Sequence, residues 1–181
     1  MTRHILDDAG LLRLKRVASC RADQLVLDIN AVYIVGPNET TKVEALAVVH
    51  EPPEHDGFDE IFPIKVEITG GGERFESLGE EGFAYRVAAE DVNVIGVDVV
   101  RVAVRSSTDE ALQASSANEQ TTGVNVIDCG VLLHTDRGVL VAYQRHPGFG
   151  FDWGTHHFGA LLSREAALEL VQLPYEIVTI A

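Results

Sequence analysis

Histidines and carboxylates recur at two places in the chain where their spacing could do chemistry. In the carboxyl-terminal third, Asp128 and His146 lie at the outer ends of two apolar runs, and Asp152, His156 and His157 follow in the stretch 147–159, PGFGFDWGTHHFG. A carboxylate beside an imidazole fixes the ring's tautomer and raises its basicity, which suits general acid–base work or support of a metal ligand. The same pairing also occurs across sheets for structural reasons alone, and adjacent His156 and His157 point to opposite faces of an extended chain.

The second place is 50–60, HEPPEHDGFDE. Imidazole and carboxylate both bind zinc, so His50, Glu51, His55 and Asp56 are candidate ligands. The helical zinc motif of metalloproteases is absent, because it needs histidines four residues apart. His50 and His55 are five apart, and Pro52 and Pro53 break any helix between them. The alternative for this segment is a solvated acidic loop.

Other catalytic patterns fail. Gly70, Gly71 and Gly72 lack the lysine and following helix of a phosphate loop, and Gly148-Phe149-Gly150 lacks the strand and helix of a dinucleotide fingerprint. There is no nucleophile elbow, and Cys129 falls on a predicted core face, where a thiol is an apolar filler. No cofactor is implied.

The elements that must position these residues are mostly strands. Residues 123–146 contain two apolar runs around Thr135-Asp136-Arg137-Gly138, which predicts a hairpin with a three-residue loop closed by Gly138. In that register Thr135 faces Val139, Val131 faces Tyr143, and Asp128 faces His146. One face then carries Ile127, Cys129, Val131, Leu133, Val139, Val141 and Tyr143, and the other Asp128, Gly130, His134, Gln144 and His146.

Upstream, residues 11–18 alternate as a strand would, although a helical spacing of Ile5, Leu6, Ala9 and Leu12 competes with it. Residues 24–35 read as one half-buried strand, 43–50 as the next, and 62–69 as an amphipathic strand that Pro63 pushes to a sheet edge. Phe83, Tyr85 and Val87 begin another. Residues 92–105 change apolar parity partway, so a β-bulge near Val99 and Val100 is expected. Ser107 with Glu110 suggests a short helix to Ala114. Ser163 caps a more convincing one, with Ala167, Leu168 and Val171 as its apolar side, before a strand over 175–180. The sum is an α+β fold dominated by antiparallel sheet, about nine strands, with one short helix before a carboxyl-terminal strand, in a single β-rich domain over 1–181.

Charge narrows the function. The chain has 28 acidic and 14 basic residues among 181, a formal net charge of −14. The excess is concentrated: residues 36–100 carry fifteen acidic and four basic groups. Such a field opposes binding to phosphates, so no nucleic acid is expected as partner, while a basic protein would be steered toward it. No apolar run approaches the roughly 20 residues of a membrane helix, and the amino terminus, MTRHILDDAG, does not read as an export signal. Two cysteines are too few for a disulfide framework, so a cytoplasmic setting is expected. The sequence therefore predicts a non-enzymatic acidic binding protein of inhibitor or immunity type. Its basic protein partner is met by Glu51, Glu54, Asp56, Asp59, Glu60, Glu80 and Glu81, with Phe151 and Trp153 as aromatic anchors. The alternative is a small metal-assisted hydrolase built on Asp128, His146, Asp152 and His156, with His50, His55 and His157 as further metal candidates. Oligomeric state is not readable from the sequence.

Overall fold

A computed structural model of the chain describes residues 2–28, 30–46, 48–50, 59–61, 63–71, 75, 86–105, 124–143, 161–171 and 175–181. Its longest strand, β8 (Arg86–Arg105), is hydrogen-bonded along both edges. One edge pairs from Val94 to Arg105 with β9 (Val124–Thr135). The other pairs first with β2 (Arg21–Leu27) and then, from Asp98 to Val102, with β11 (Tyr175–Thr179). From β2 the sheet continues through β3 (Ala31–Val35) and β4 (Thr40–Ala45) to the edge strand β7 (Ile64–Thr69). Beyond β9 lie β10 (Gly138–Tyr143), antiparallel to it, and β1 (Thr2–His4), parallel to it. A separate pair, β5 (Val48–His50) and β6 (Asp59–Ile61), stands between β4 and β7 in the chain. Two helices complete the described elements, α1 (Asp8–Val17) and α2 (Arg164–Leu170). The fold is thus mostly β as expected, but the sheet is mixed rather than purely antiparallel, and it has eleven described strands and a second helix.

Two cores form on opposite faces of β8 and β9. The larger packs Val97, Val99, Val131, Leu133, Leu140 and Ala142 against β2, β3, β4, β7 and α1. The smaller packs Val100, Val102, Ile127, Cys129, Leu132, Val139 and Tyr143 under α2. Because both faces are covered, apolar side chains appear at consecutive positions and the simple alternation of a half-exposed strand is lost. The expected bulge is present as a register shift at Val100/Arg101, but the extra residue is Cys129 on β9, not a residue of β8. A second shift makes Ile95 the extra residue on β8, where it is 65% exposed.

The central hairpin exists with a register one residue from the expected one. Gly138 pairs with Thr135 and Tyr143 with Gly130, so the loop is Asp136 and Arg137 alone. This two-residue loop needs no positive φ at Arg137, since among the described non-glycine residues only Asp91 has one, at 50°. The unusual angle falls instead on Gly138, at φ 145°, which a side chain would resist. The Thr135 hydroxyl closes the turn, donating to the Gly138 carbonyl at 2.8 Å and accepting from the Arg137 N–H at 3.1 Å. The shifted loop and the bulge at Cys129 together split the predicted single face: Val131 and Leu133 belong to the larger core, while Ile127, Cys129, Val139 and Tyr143 belong to the smaller.

Other expectations are corrected by short-range chemistry. Residues 11–17 lie in α1 and Ala18 is its C-cap, so this segment is not a strand. The Asp7 side chain caps that helix by accepting from Gly10 N at 2.7 Å, Asp8 sits in its first turn, and Leu14 and Val17 are buried. The span 24–35 is two strands: Asp28 and Ala31 exchange backbone hydrogen bonds and turn β2 into β3. Within 50–60, His50 ends β5 and Asp59 and Glu60 begin β6, with His50 directly opposite Asp59. On α2, Ser163 caps as expected by accepting from Ala166 N, and Ala167 is buried, but Leu168 is exposed. The expected strand start at Phe83 and Tyr85 and the helix over 107–114 lie outside the described residues.

Leu133 and Val131 are fully buried in the larger core. Leu133→Asp is expected to abolish cooperative unfolding, since an unpaired buried carboxylate costs several kcal/mol, of the order of the about 5–15 kcal/mol total stability of a domain. Thermal melts of Leu133→Asp and Val131→Asp check this, and wild-type curves for both would contradict the placement. Gly130 abuts Tyr143 so closely that any Cβ would collide with that residue's backbone and Cβ. Gly130→Ala is therefore expected to lower the midpoint as well.

Candidate functional site

Two carboxylates sit on the β8–β9 ribbon, and their surroundings differ. Asp128, beside the bulge, is fully buried. Its Oδ1 accepts from Arg101 Nε at 2.7 Å, and its Oδ2 accepts from Arg101 Nη2 at 3.3 Å and from Leu6 N at 2.9 Å. The two-pronged contact joins neighbouring strands, and the backbone donor ties in the segment between β1 and α1. The Asp128 hydrogen bonds push the Arg101 guanidinium even further toward its charged form, against the opposing pull of partial burial. With three donors already on it, Asp128 is a structural staple and no free base.

Asp98 is the other. It lies on β8 opposite Leu132, and His134 reaches it from β9, placing Nε2 2.7 Å from Asp98 Oδ2. Gly96, directly across from His134, makes room for the ring: a Cβ there would lie 3.6 Å from both His134 Cβ and Cδ2. The pair borders a cleft of about 380 Å³ between the sheet and the start of α2, also lined by Arg164 and Thr179. Asp98 is 8% exposed, so it is a buried carboxylate facing an imidazole at the edge of open space.

The tip of the hairpin is fixed to the start of this region. Asp136 accepts from Asn93 N and Nδ2 at 3.1 and 2.7 Å, and the Asn93 side-chain bond, followed by its backbone bond, holds the Asp136 carboxyl below its ordinary range. Arg137 donates to the carbonyls of Glu90 and Asp91. These bonds leave Thr135, whose hydroxyl is already committed, as a turn residue and not a nucleophile.

The structure thus brings together an Asp–His pair, though not the expected one. His146 lies outside the described residues, as do Glu51, Glu54, His55, Asp56, Glu80, Glu81, Phe151, Asp152, Trp153, His156 and His157. Asp128 has Arg101 for its partner. Among the described residues no group of three or more His, Cys, Asp or Glu side chains could hold a metal ion. The residues missed by sequence reasoning are Asp98, Arg101 and Arg164. The signal for the first two was a lone acid and a lone base inside the β-branched run 94–104, where burial demands a partner.

Neither cysteine is activated. Burial, followed by the Asp128 charge, pushes the Cys129 thiol from its ordinary 9.0 up to about 12, and burial raises Cys20 as well. Among the described residues, no helix is long and apolar enough to cross a membrane. Comparison with family models, with curated proteins and with solved structures finds no match for this chain.

Two outcomes follow from these contacts. Asp128→Ala is expected to destabilise by about 3–5 kcal/mol, because it leaves Arg101 and the Leu6 N–H without their acceptor, and a double-mutant cycle with Arg101→Met should show strong coupling. Additive effects in denaturant melts would contradict the staple. The Cys129 thiol keeps its proton when folded but loses it when unfolded between pH 9.0 and about 12. The native state then binds more protons than the unfolded one, so stability falls as pH rises through that window. Unfolding free energies of wild type and Cys129→Ala across this range should diverge in slope, the wild type being steeper, and parallel curves would contradict the shift.

Proposed function

We propose that the protein is a non-enzymatic binding protein that captures a basic protein partner through its acidic connections, in the manner of an inhibitor or an immunity protein. The supporting observation is where its charge is left uncompensated. On the outward face of β4 and β7, Lys42 pairs with Glu44 and Lys65 with Glu67, and the register sets Lys42 across from Glu67 and Glu44 across from Lys65. That patch is neutral. Between Glu51 and Glu81 the sequence has ten carboxylates and two basic side chains, and one of those two, Lys65, is already held by Glu67. The surplus therefore belongs to the connections.

Topology brings both ends of the first connection, and the return of the second, to one end of the sheet. The β5–β6 pair emerges where Ala45 meets Ile64. The later connection leaves β7 at the opposite end, beside Thr40, and returns at Arg86, opposite Leu27. Midway, Phe75 is fixed on the outward face by two hydrogen bonds with the Gln24 side-chain amide and by its ring against Tyr33, centroids 4.9 Å apart. Because β2, β3 and β4 run side by side, Leu27 and Ala45 mark one end. Carboxylates gathered there would steer a cation-rich surface and speed its association. A cytoplasmic setting suits the two free thiols, Cys20 and Cys129.

Neutralising Glu54, Asp56, Asp59 and Glu60 to their amides is expected to slow association with whatever basic protein is captured by the wild type by about tenfold at low salt and to flatten the dependence on ionic strength. Folding stability should change little. Stopped-flow association rates against salt for both forms check this, and identical salt slopes would overturn the reading.

A further inference from the structure

The cleft beside Asp98 and His134 has a polar lining that the acidic connections do not explain. His134 Nε2 lies 2.7 Å from Asp98 Oδ2. That contact uses Asp98 Oδ2 alone. Among the described residues, Asp98 Oδ1 has no hydrogen-bond partner. The Asp98 side chain keeps 11% of its surface exposed, and the residue lines the cleft. The side contributed by α2 carries Arg164, an exposed guanidinium with no hydrogen bond or ion pair among the described residues. Val139 adds an apolar patch to the lining.

We propose that this cleft binds a small amphoteric molecule carrying an ammonium and a carboxylate, as a free amino acid does. The ammonium donates to Asp98 Oδ1, the carboxylate oxygen that His134 leaves unoccupied. The carboxylate meets the Arg164 guanidinium, whose planar fork matches it. A simple anion would face the Asp98 charge, and a simple cation would face Arg164, so neither is satisfied by the cleft as a whole. The volume of about 380 Å³ is at the small end of ligand sites and suits a molecule of that size. Gly96 also lines the cleft, and a side chain there would press on the Ala181 carbonyl, 3.1 Å from the position of its Cβ.

The test is a titration of the intact chain with a panel of free amino acids, each beside its matched α-hydroxy acid and its matched simple amine. Heats of binding and the imidazole ¹⁵N resonances of His134 are the readouts. At least one amino acid is expected to bind and to shift the Nε2 resonance, which reports on Asp98, with its hydroxy acid and amine each at least about tenfold weaker, a difference of roughly 1.4 kcal/mol. Arg164→Ala, at an exposed position, should fold normally and lose at least tenfold in affinity, and Asp98→Asn should lose more. If Asp98→Asn fails to fold, Arg164→Ala decides. Absence of binding by every amino acid, equal binding of the hydroxy acid or the amine, or affinity untouched by Arg164→Ala would each overturn the proposal.

Discussion

Everything in this fold depends on β8 being hydrogen-bonded along both edges while both of its faces are covered over much of its length. A strand so enclosed cannot leave a polar side chain to water except at its ends or bulges. Ile95 illustrates the exception: it is the bulged residue and the most exposed of the large apolar side chains. Elsewhere on the strand each side chain must enter one of two cores or find a specific partner. That constraint sets where β9 bulges, because Cys129 shifts the alternation so that Ile127 and Cys129 serve the core under α2 while Val131 and Leu133 serve the other.

The same constraint separates the two interior carboxylates by role. Asp128 faces a guanidinium that never loses its charge and gains a backbone donor as well, so its acceptor capacity is largely used within the fold. Asp98 faces one imidazole through one oxygen, and its other oxygen opens on a cleft. A closed, doubly bonded ion pair holds strands together; a half-satisfied pair at a cavity edge is where ligand chemistry is available. Both acids lie on the ribbon formed by β8 and β9, and the distinction comes from their partners alone.

Much of the β architecture was legible because burial writes itself into apolar spacing. The edge position of β7, the hairpin at Asp136, the cap at Ser163 and the final strand all follow from local patterns that the structure keeps. The failures have equally local causes. Leu6 just before α1 and Gly10, Leu14 and Val17 within it are buried at helical spacing, but a glycine among them masked the stripe and left the alternation of Leu12 and Leu14 to compete. The β2–β3 turn has neither glycine nor proline, and its parity switch, from Leu25 and Leu27 to Val32 and Ile34 in one core, is visible only once the turn is known. The hairpin register failed because a hydroxyl, that of Thr135, did the work expected of a loop glycine. Of the candidate site, Asp128 proves to be held by Arg101, while His146 lies outside the described residues; a sequence cannot say which acid is already taken by an arginine.

Charge is distributed by the same economy. Five carboxylates within the described sheet have ion-pair partners: Glu44 and Glu67 lysines, Asp91 Arg21 across exposed surface, Asp128 Arg101 and Asp98 His134. Exposed pairs of this kind contribute little to stability, so their value lies in cancelling field over the sheet rather than in holding it. By sequence, the acidic surplus lies in the segments between strands, with ten carboxylates against two basic side chains between Glu51 and Glu81. A uniformly acidic surface would repel like-charged neighbours from every side and orient no partner. An acidic excess restricted to the connections, beside a sheet that is locally neutral, gives the field a direction, and direction is what a surface needs if charge is to select an orientation of encounter as well as to keep the chain in solution.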